Sequence, residues 1–324
     1  MCTAVSHLTQ GLYFGRDLDY EVSFGESVTI TPRSFPFRLR HLGAMDRHYA
    51  MIGMAHVLDD YPLYYDAMNE KGLCIAGLNF VTSAVYQPPM PDRDNVAQFE
   101  LIPWLLGRCA TAAQARALLE HANITDEPFC EGLPLARLHW LIADRHETIV
   151  LEATADGLHI YDDPVGVLTN EPPFPMQMFA LNDHARLSPD SPQPLFAGQV
   201  PLQTYSRGLG GLGLPGDLSS RSRFVRAAFV NLSSRSGESE EESVSQFFHI
   251  LTSVEQQRGC CRLDGDKYEI TLYSSCCSAD RGIYYYTTYE NRQITAVDMK
   301  REDLDGAALV SYPLVQGQQI RWAN

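Results

Sequence analysis

Cys2 is the residue of this chain best placed to do chemistry, because trimming of Met1 would make it the N-terminus. An N-terminal cysteine carries a thiol and, on the same Cα, an α-amine whose ordinary pKa of about 8 lets it take a proton near neutral pH. A nucleophile activated by its own amine needs no separate base. Arg16 and Asp19 follow in the run Gly15-Arg16-Asp17-Leu18-Asp19. A cation beside the sulfur favours the thiolate, and a carboxylate beside the amine would hold and orient it. A Cys–His pair is the rival arrangement, since ten histidines are present. His139, set between Leu138 and Trp140 in an apolar run, reads as a sheet or core histidine and not as the base.

The elements that must position these groups are read from periodicity and punctuation. Residues 3–30 are rich in Val, Tyr, Phe and Thr and broken by Gly11, Gly15 and Gly25, a pattern of strands and tight turns. Residues 49–56 and 73–80 are short apolar runs, the second fit for a strand covered on both faces, with Asn79 at its end. The spacing of Phe99, Ile102, Leu105 and Leu106 predicts a helix over 95–107, with a kink at Pro103. Thr111 is a suitable N-cap for a second helix to His121. Residues 138–143, 148–153 and 157–162 read as three successive strands. Residues 222–232 and 243–254 read as helices, separated by a solvated acidic loop over 233–242. Strands return over 267–275, 282–290 and 293–299. Strands at both ends with helices between do not fit strict β–α alternation. An α+β fold with two stacked antiparallel sheets between helical layers fits.

Composition narrows the partners. The chain has 324 residues, 45% of them hydrophobic, and a formal charge of -15. That balance disfavours nucleic acid, which needs a basic patch. It does not exclude an anionic small molecule, because repulsion is screened beyond ~8 Å at physiological salt. Nothing reads as a secretory signal or as the roughly 20 apolar residues of a membrane span, so the expected location is the cytoplasm. The eight cysteines lack metal-site spacing and are expected to be reduced. Residues 184–217 hold five prolines and a glycine cluster, an irregular insertion of the kind that is usually functional.

Read together, Met1-Cys2-Thr3-Ala4, Tyr13-Phe14-Gly15-Arg16, Asn69-Glu70-Lys71-Gly72-Leu73, Gly77-Leu78-Asn79-Phe80, Leu138-His139-Trp140, Val167-Leu168-Thr169-Asn170, Ser222-Arg223-Phe224 and Gly282-Ile283-Tyr284-Tyr285-Tyr286 resemble the conjugated bile acid hydrolases. These are the bile salt or choloylglycine hydrolases, grouped with the penicillin V acylases among the N-terminal nucleophile hydrolases. The likeness runs in order along almost the whole chain. It implies one domain over 1–324 with an αββα sandwich, and hydrolysis of the amide of glycine- or taurine-conjugated bile salts by Cys2 through a thioester. Penicillin V acylase or acyl-homoserine-lactone acylase activity is the alternative, and a non-catalytic binding protein of the same fold is the third reading.

The resemblance also implies the roles. Cys2 is the nucleophile, Arg16 stabilises its thiolate, and Asp19 bonds the amine. Asn79 and Asn170 serve the oxyanion, and Arg223 is the second arginine of the site. Leu18, Leu58, Tyr65, Phe129, Leu133 and Leu138 stand at steroid-contact positions. Arg207, in Tyr205-Ser206-Arg207-Gly208, is expected near the anionic tail from its own chemistry and not from the family, with a lean to taurine because a sulfonate offers three oxygens to the guanidinium's donors. The insertion implies a homotetramer. No metal or organic cofactor is required. Asp17 departs from the common family text, where Asn is frequent; alternation along a strand predicts that it points away from Cys2.

Overall fold

The first twenty residues form a hairpin of β1 (Cys2–Leu8) and β2 (Leu12–Tyr20), with Cys2 opposite Leu18 and Ala4 opposite Arg16. Residues paired across antiparallel strands share a face. Cys2, Ala4, Arg16 and Leu18 therefore look one way, and Thr3, Asp17 and Asp19 the other. Both faces are buried, so the hairpin lies inside the molecule.

The structure is a computed structural model describing residues 1–324. After the hairpin come β3 (Ser27–Thr31), β4 (Phe37–Leu39), β5 (Gly43–Met45), β6 (Met51–Leu58), β7 (Tyr61–Asn69), β8 (Cys74–Asn79) and β9 (Asp94–Ala97). Helices α1 (Leu101–Arg108) and α2 (Ala112–Leu119) follow, then β10 (Ala122–Thr125), β11 (Leu138–Ala143), β12 (Thr148–Thr154), β13 (Gly157–Asp162) and β14 (Val167–Leu168). The last part holds α3 (Phe174–Ala180), α4 (Ser220–Ser233), α5 (Glu240–Thr252), β15 (Ile270–Ser278), β16 (Ile283–Thr288), β17 (Asn291–Asp298) and β18 (Val310–Pro313).

Two antiparallel sheets carry the fold, ordered β14-β1-β2-β15-β16-β17 and β13-β12-β11-β8-β7-β6-β3-β18. Period-2 alternation divides the second sheet between two cores. Cys74, Ala76, Leu78, Leu141 and Val150 face the first sheet. Ile75, Ile142, Ile149 and Leu151 face Trp104 and Leu105 of α1. Helices α4 and α5 cover the outer face of the first sheet. The layers are thus αββα, the expected sandwich. A buried carboxylate ties the sheets: Asp66 of β7 accepts from Tyr273 and Tyr284 at 2.7 Å each and from Ser275 at 3.0 Å.

Several local readings change. The helix expected over 95–107 begins as β9, which pairs in parallel with β10, and becomes α-helical only at Leu101. Pro103 then sits in the first turn, where its missing N–H costs nothing, and no kink is needed. The second helix stops at Leu119, two residues short of His121, as the chain enters β10; Thr111 does cap it, accepting from Gln114 N. The acidic loop ends earlier than expected, because Ser239 and Glu242 form a capping box that starts α5 at Glu240 and acidic residues suit a helix N-terminus. The strand β7 was hidden by Pro62 and by a β6–β7 turn of Asp59 and Asp60, both at positive φ, in place of the usual glycine-containing pair.

Gly15 carries a consequence for stability. A Cβ there would overlap the Ser275 carbonyl oxygen, so β2 and β15 can approach only over glycine. Gly15→Ala is expected to destabilise by roughly 2 kcal/mol or more, whereas Gly216→Ala, in open space, is expected to be near neutral. Thermal melts of both variants check this; equal melting temperatures would refute the close-approach argument.

Candidate active site

Cys2 is 2% exposed at the start of β1. Its backbone N donates to Asn170 Oδ1 at 2.8 Å. The same oxygen accepts from Arg223 Nη2 at 2.7 Å. Asn170 Nδ2 donates to the Asn79 carbonyl at 2.8 Å. Arg223 Nη1 donates to the Cys2 carbonyl at 2.6 Å and to Thr3 Oγ1 at 2.5 Å, and lies 3.9 Å from Asp19 Oδ2. Asp19 Oδ1 accepts from Thr271 Oγ1 at 2.6 Å. Arg16 enters from the other face of the first sheet, donating to the carbonyls of Tyr65 and Gly77. Cys2, Arg16, Asp19, Asn79, Asn170 and Arg223 thus converge, although 221 residues of chain separate Cys2 from Arg223.

Local structure explains each placement. Asn170 follows β14, which pairs with β1 at Ala4 and Val5, and its N–H donates to Ser220 Oγ at 2.8 Å. Ser219 caps α4, bringing Arg223 to the first turn above Cys2. Asn79 ends β8, and the residues after it are fastened by Glu171, which accepts from Thr82 N at 2.8 Å and Ser83 Oγ at 2.7 Å.

Met1 precedes Cys2 in the described chain. Its ammonium pairs with Glu269 and donates to the Asp19 carbonyl at 3.0 Å, and burial lowers its pKa. With Met1 in place, the partner of Cys2 N is Asn170 and not the Asp19 carboxylate.

Burial dominates the electrostatics. It would lower the pKa of Arg16, but the Cys2 sulfur, Tyr273, Asp66 and Asp19 together raise it above the ordinary value. Arg223 is lowered by burial against the pull of Asp19 and Cys2. Asp19 is raised by burial, opposed by Arg223, the N-terminal ammonium and Thr271. Asp17 does face away from Arg16, but onto the face that Asp19 shares. Burial and then Asp19 push its carboxyl well up; Ser274 donates to one of its oxygens at 2.6 Å and the other has no partner.

A cavity of about 460 Å³ opens over Cys2, Arg16 and Asn79. Leu18, Tyr65, Phe129, Leu133 and Leu138 line it. Leu58 and Arg207, the other two residues expected at the substrate, do not. Leu58 sits at the β6–β7 turn opposite Tyr61, beyond His56, which does line the wall. Arg207 lies exposed in the insertion. Val22, Phe24, Phe99 and Arg137 also line the cavity and escaped the sequence reading. Val22 and Phe24 had a signal: two large apolar side chains in a loop beside Gly25. Phe99 reads as a core position until it is seen edge-on to Phe129, ring centres 5.2 Å apart.

Residues 2–312 match the linear amide C–N hydrolases of the choloylglycine hydrolase family. The chain belongs to that family. It is 55% identical over 324 residues, all of both chains, to a bile salt hydrolase/transferase of Lactiplantibacillus plantarum, and 37% identical over 329 residues, again all of both, to one of Clostridium perfringens. The crystal structure of the C2A mutant of the conjugated bile acid hydrolase from Clostridium perfringens superposes with a TM-score of 0.92 at 36% identity, covering 100% of both chains. A penicillin V acylase from Agrobacterium tumefaciens shares the fold, with a TM-score of 0.75 at 20% identity over 97% of this chain and 92% of its own.

Within this choloylglycine hydrolase site, Asp17 is testable through pH. Its raised carboxyl keeps a proton in the folded state that the unfolded chain gives up near pH 4. Stability from this group is therefore complete below about pH 4 and declines as pH rises toward the folded pKa. Asn keeps an acceptor for Ser274 without a charge. Asp17→Asn is expected to melt at least about 2 °C higher than the parent at pH 7, with the gap closing toward pH 4. A less stable variant at pH 7 would contradict the assignment.

Proposed function

We propose that this choloylglycine hydrolase family member cleaves the amide of glycine- or taurine-conjugated bile salts, with Cys2 as nucleophile once Met1 is removed. The observation that carries the reading is the position of Cys2 and Asn79 on a cavity walled by Leu18, Phe24, Phe129 and Leu133, with Asn170 hydrogen-bonded to the backbone of both, a form suited to a rigid apolar ring system whose amide must reach a polar end. The freed α-amine takes the thiol proton. The thiolate attacks the carbonyl carbon, and the oxyanion is met by Asn170 Nδ2, which has a second hydrogen beyond that given to Asn79, and by Asn79 itself. Collapse breaks the C–N bond as the α-ammonium passes its proton to the departing nitrogen. Water, deprotonated by the same amine, then cleaves the thioester, releasing the free bile acid and restoring the thiol. An amine entering in place of water would give the transfer that the relatives' names record. Arg16 steadies the thiolate, and Arg223 with Asp19 fixes the Cys2 carbonyl and the Thr3 hydroxyl.

The reading extends to the whole chain. Residues 1–324 act as one domain, in the cytoplasm, where the eight free thiols remain reduced. The insertion exposes Leu195, Phe196 and Tyr205 at 90%, 93% and 85%, apolar area that assembly into a homotetramer would cover. Arg207 lies outside the cavity lining, so the lean to taurine has no support from within one chain.

A panel of glycine conjugates, taurine conjugates and penicillin V tests the substrate. The conjugates are expected to be hydrolysed with kcat/KM at least tenfold above that for penicillin V; the reverse order favours an acylase. Cys2→Ser and Cys2→Ala are expected to lose essentially all turnover, and Asn170→Ala about 10²- to 10³-fold in kcat. Full activity in either Cys2 variant would refute the sulfur as nucleophile.

A further inference from the structure

His139 and Glu152 form a wholly buried pair that no step above uses. His139 Nε2 faces the Thr169 carbonyl at 2.8 Å, and Nδ1 faces Glu152 Oε1 at 3.0 Å. The ring is stacked on Phe80, 4.2 Å between centres and 7° from parallel. A carbonyl can only accept, so Nε2 carries hydrogen. One further proton must then lie between Nδ1 and Glu152, on either partner. Glu152 Oε1 also accepts from the backbone N–H of Phe174 at 2.9 Å, the first residue of α3. The pair therefore grips the chain on both sides of Asn170, at Thr169 and at Phe174. Phe80, on which the ring rests, directly follows Asn79.

We infer that His139 and Glu152 are positioning residues that hold Asn170, and through it Asn79, where the oxyanion develops. The inference rests on the amide-hydrolysis reading above. Gln at 152 cannot reproduce the grip. An amide oxygen at the Oε1 position accepts from Nδ1 only if His139 holds a second proton with no buried counter-charge, which is costly, and an amide nitrogen there faces the Phe174 N–H. His139→Gln removes the rigid ring and its stacking on Phe80.

The test uses the full-length chain and compares the parent with Glu152→Gln and His139→Gln. Active sites are counted by iodoacetamide labelling of Cys2, and turnover is measured on a conjugated bile salt. In both variants kcat per labelled site is expected to fall at least tenfold, with KM within about threefold and the labelling rate within about twofold, since Asn170 and not the thiol is disturbed. Rates per site within twofold of the parent overturn the inference. A variant that loses labelling in step with turnover also overturns it, as does failure of both variants to fold, because the role would then be structural. If the parent cleaves no conjugate, it is the functional reading that fails. A crystal structure of Glu152→Gln still decides the inference: Asn170 Oδ1 more than 3.5 Å from Cys2 N supports it, and an unchanged 2.8 Å contact refutes it.

Discussion

The side-chain amide of Asn170 is where the layers of this molecule are joined. Its oxygen takes the Cys2 N–H from the first sheet and a guanidinium N–H from α4, and its nitrogen reaches the Asn79 carbonyl at the end of the second sheet. Each bond alone is worth on the order of 1 kcal/mol. Their weight lies in what they exclude. With the oxygen doubly occupied and one hydrogen committed, the amide has one orientation, and its remaining hydrogen has one direction. In the proposed mechanism that hydrogen meets the oxyanion, and a donor fixed before the substrate arrives needs no reorganisation when charge develops.

Two buried arginines frame that point from opposite faces of the first sheet. Arg223 is held by the Cys2 carbonyl, the Thr3 hydroxyl and Asp19; Arg16 by two carbonyls of the second sheet and the nearby field of Asp66. Neither guanidinium is solvated, so each depends on its partners, and removing one partner of a buried charge typically costs 3–5 kcal/mol. The charges are confined to a cluster inside a strongly acidic protein. Net charge therefore says little about the field inside the cavity.

How much of this can be read from residues alone depends on distance along the chain. The hairpin is legible because Cys2, Arg16 and Asp19 lie within nineteen residues and alternation assigns their faces. The strands at 138–143 and 157–162 are legible from their runs and polar turns. Asn170 and Arg223 are not legible on their own: Asn before Glu171-Pro172 reads as a turn, and Arg in a helix reads as surface. Only the ordered family text brings them to the site. Leu58 shows the opposite case, where family position does not fix where a strand end lies, and Arg207 shows that a side chain's chemistry does not place an irregular loop. His139 reads as a core histidine because its partners, Glu152 and the Thr169 carbonyl, are set by sheet register and not by spacing.

The central claim is that a trimmed N-terminal Cys2 carries the acyl group during turnover. Mass spectrometry of enzyme quenched with acid while hydrolysing a conjugated bile salt, followed by peptide mapping, tests it most directly. The account predicts a chain lacking Met1 with one bile acyl group on the N-terminal peptide, as a thioester lost to hydroxylamine. An active enzyme that retains Met1, or an acyl group on any other residue, would contradict it.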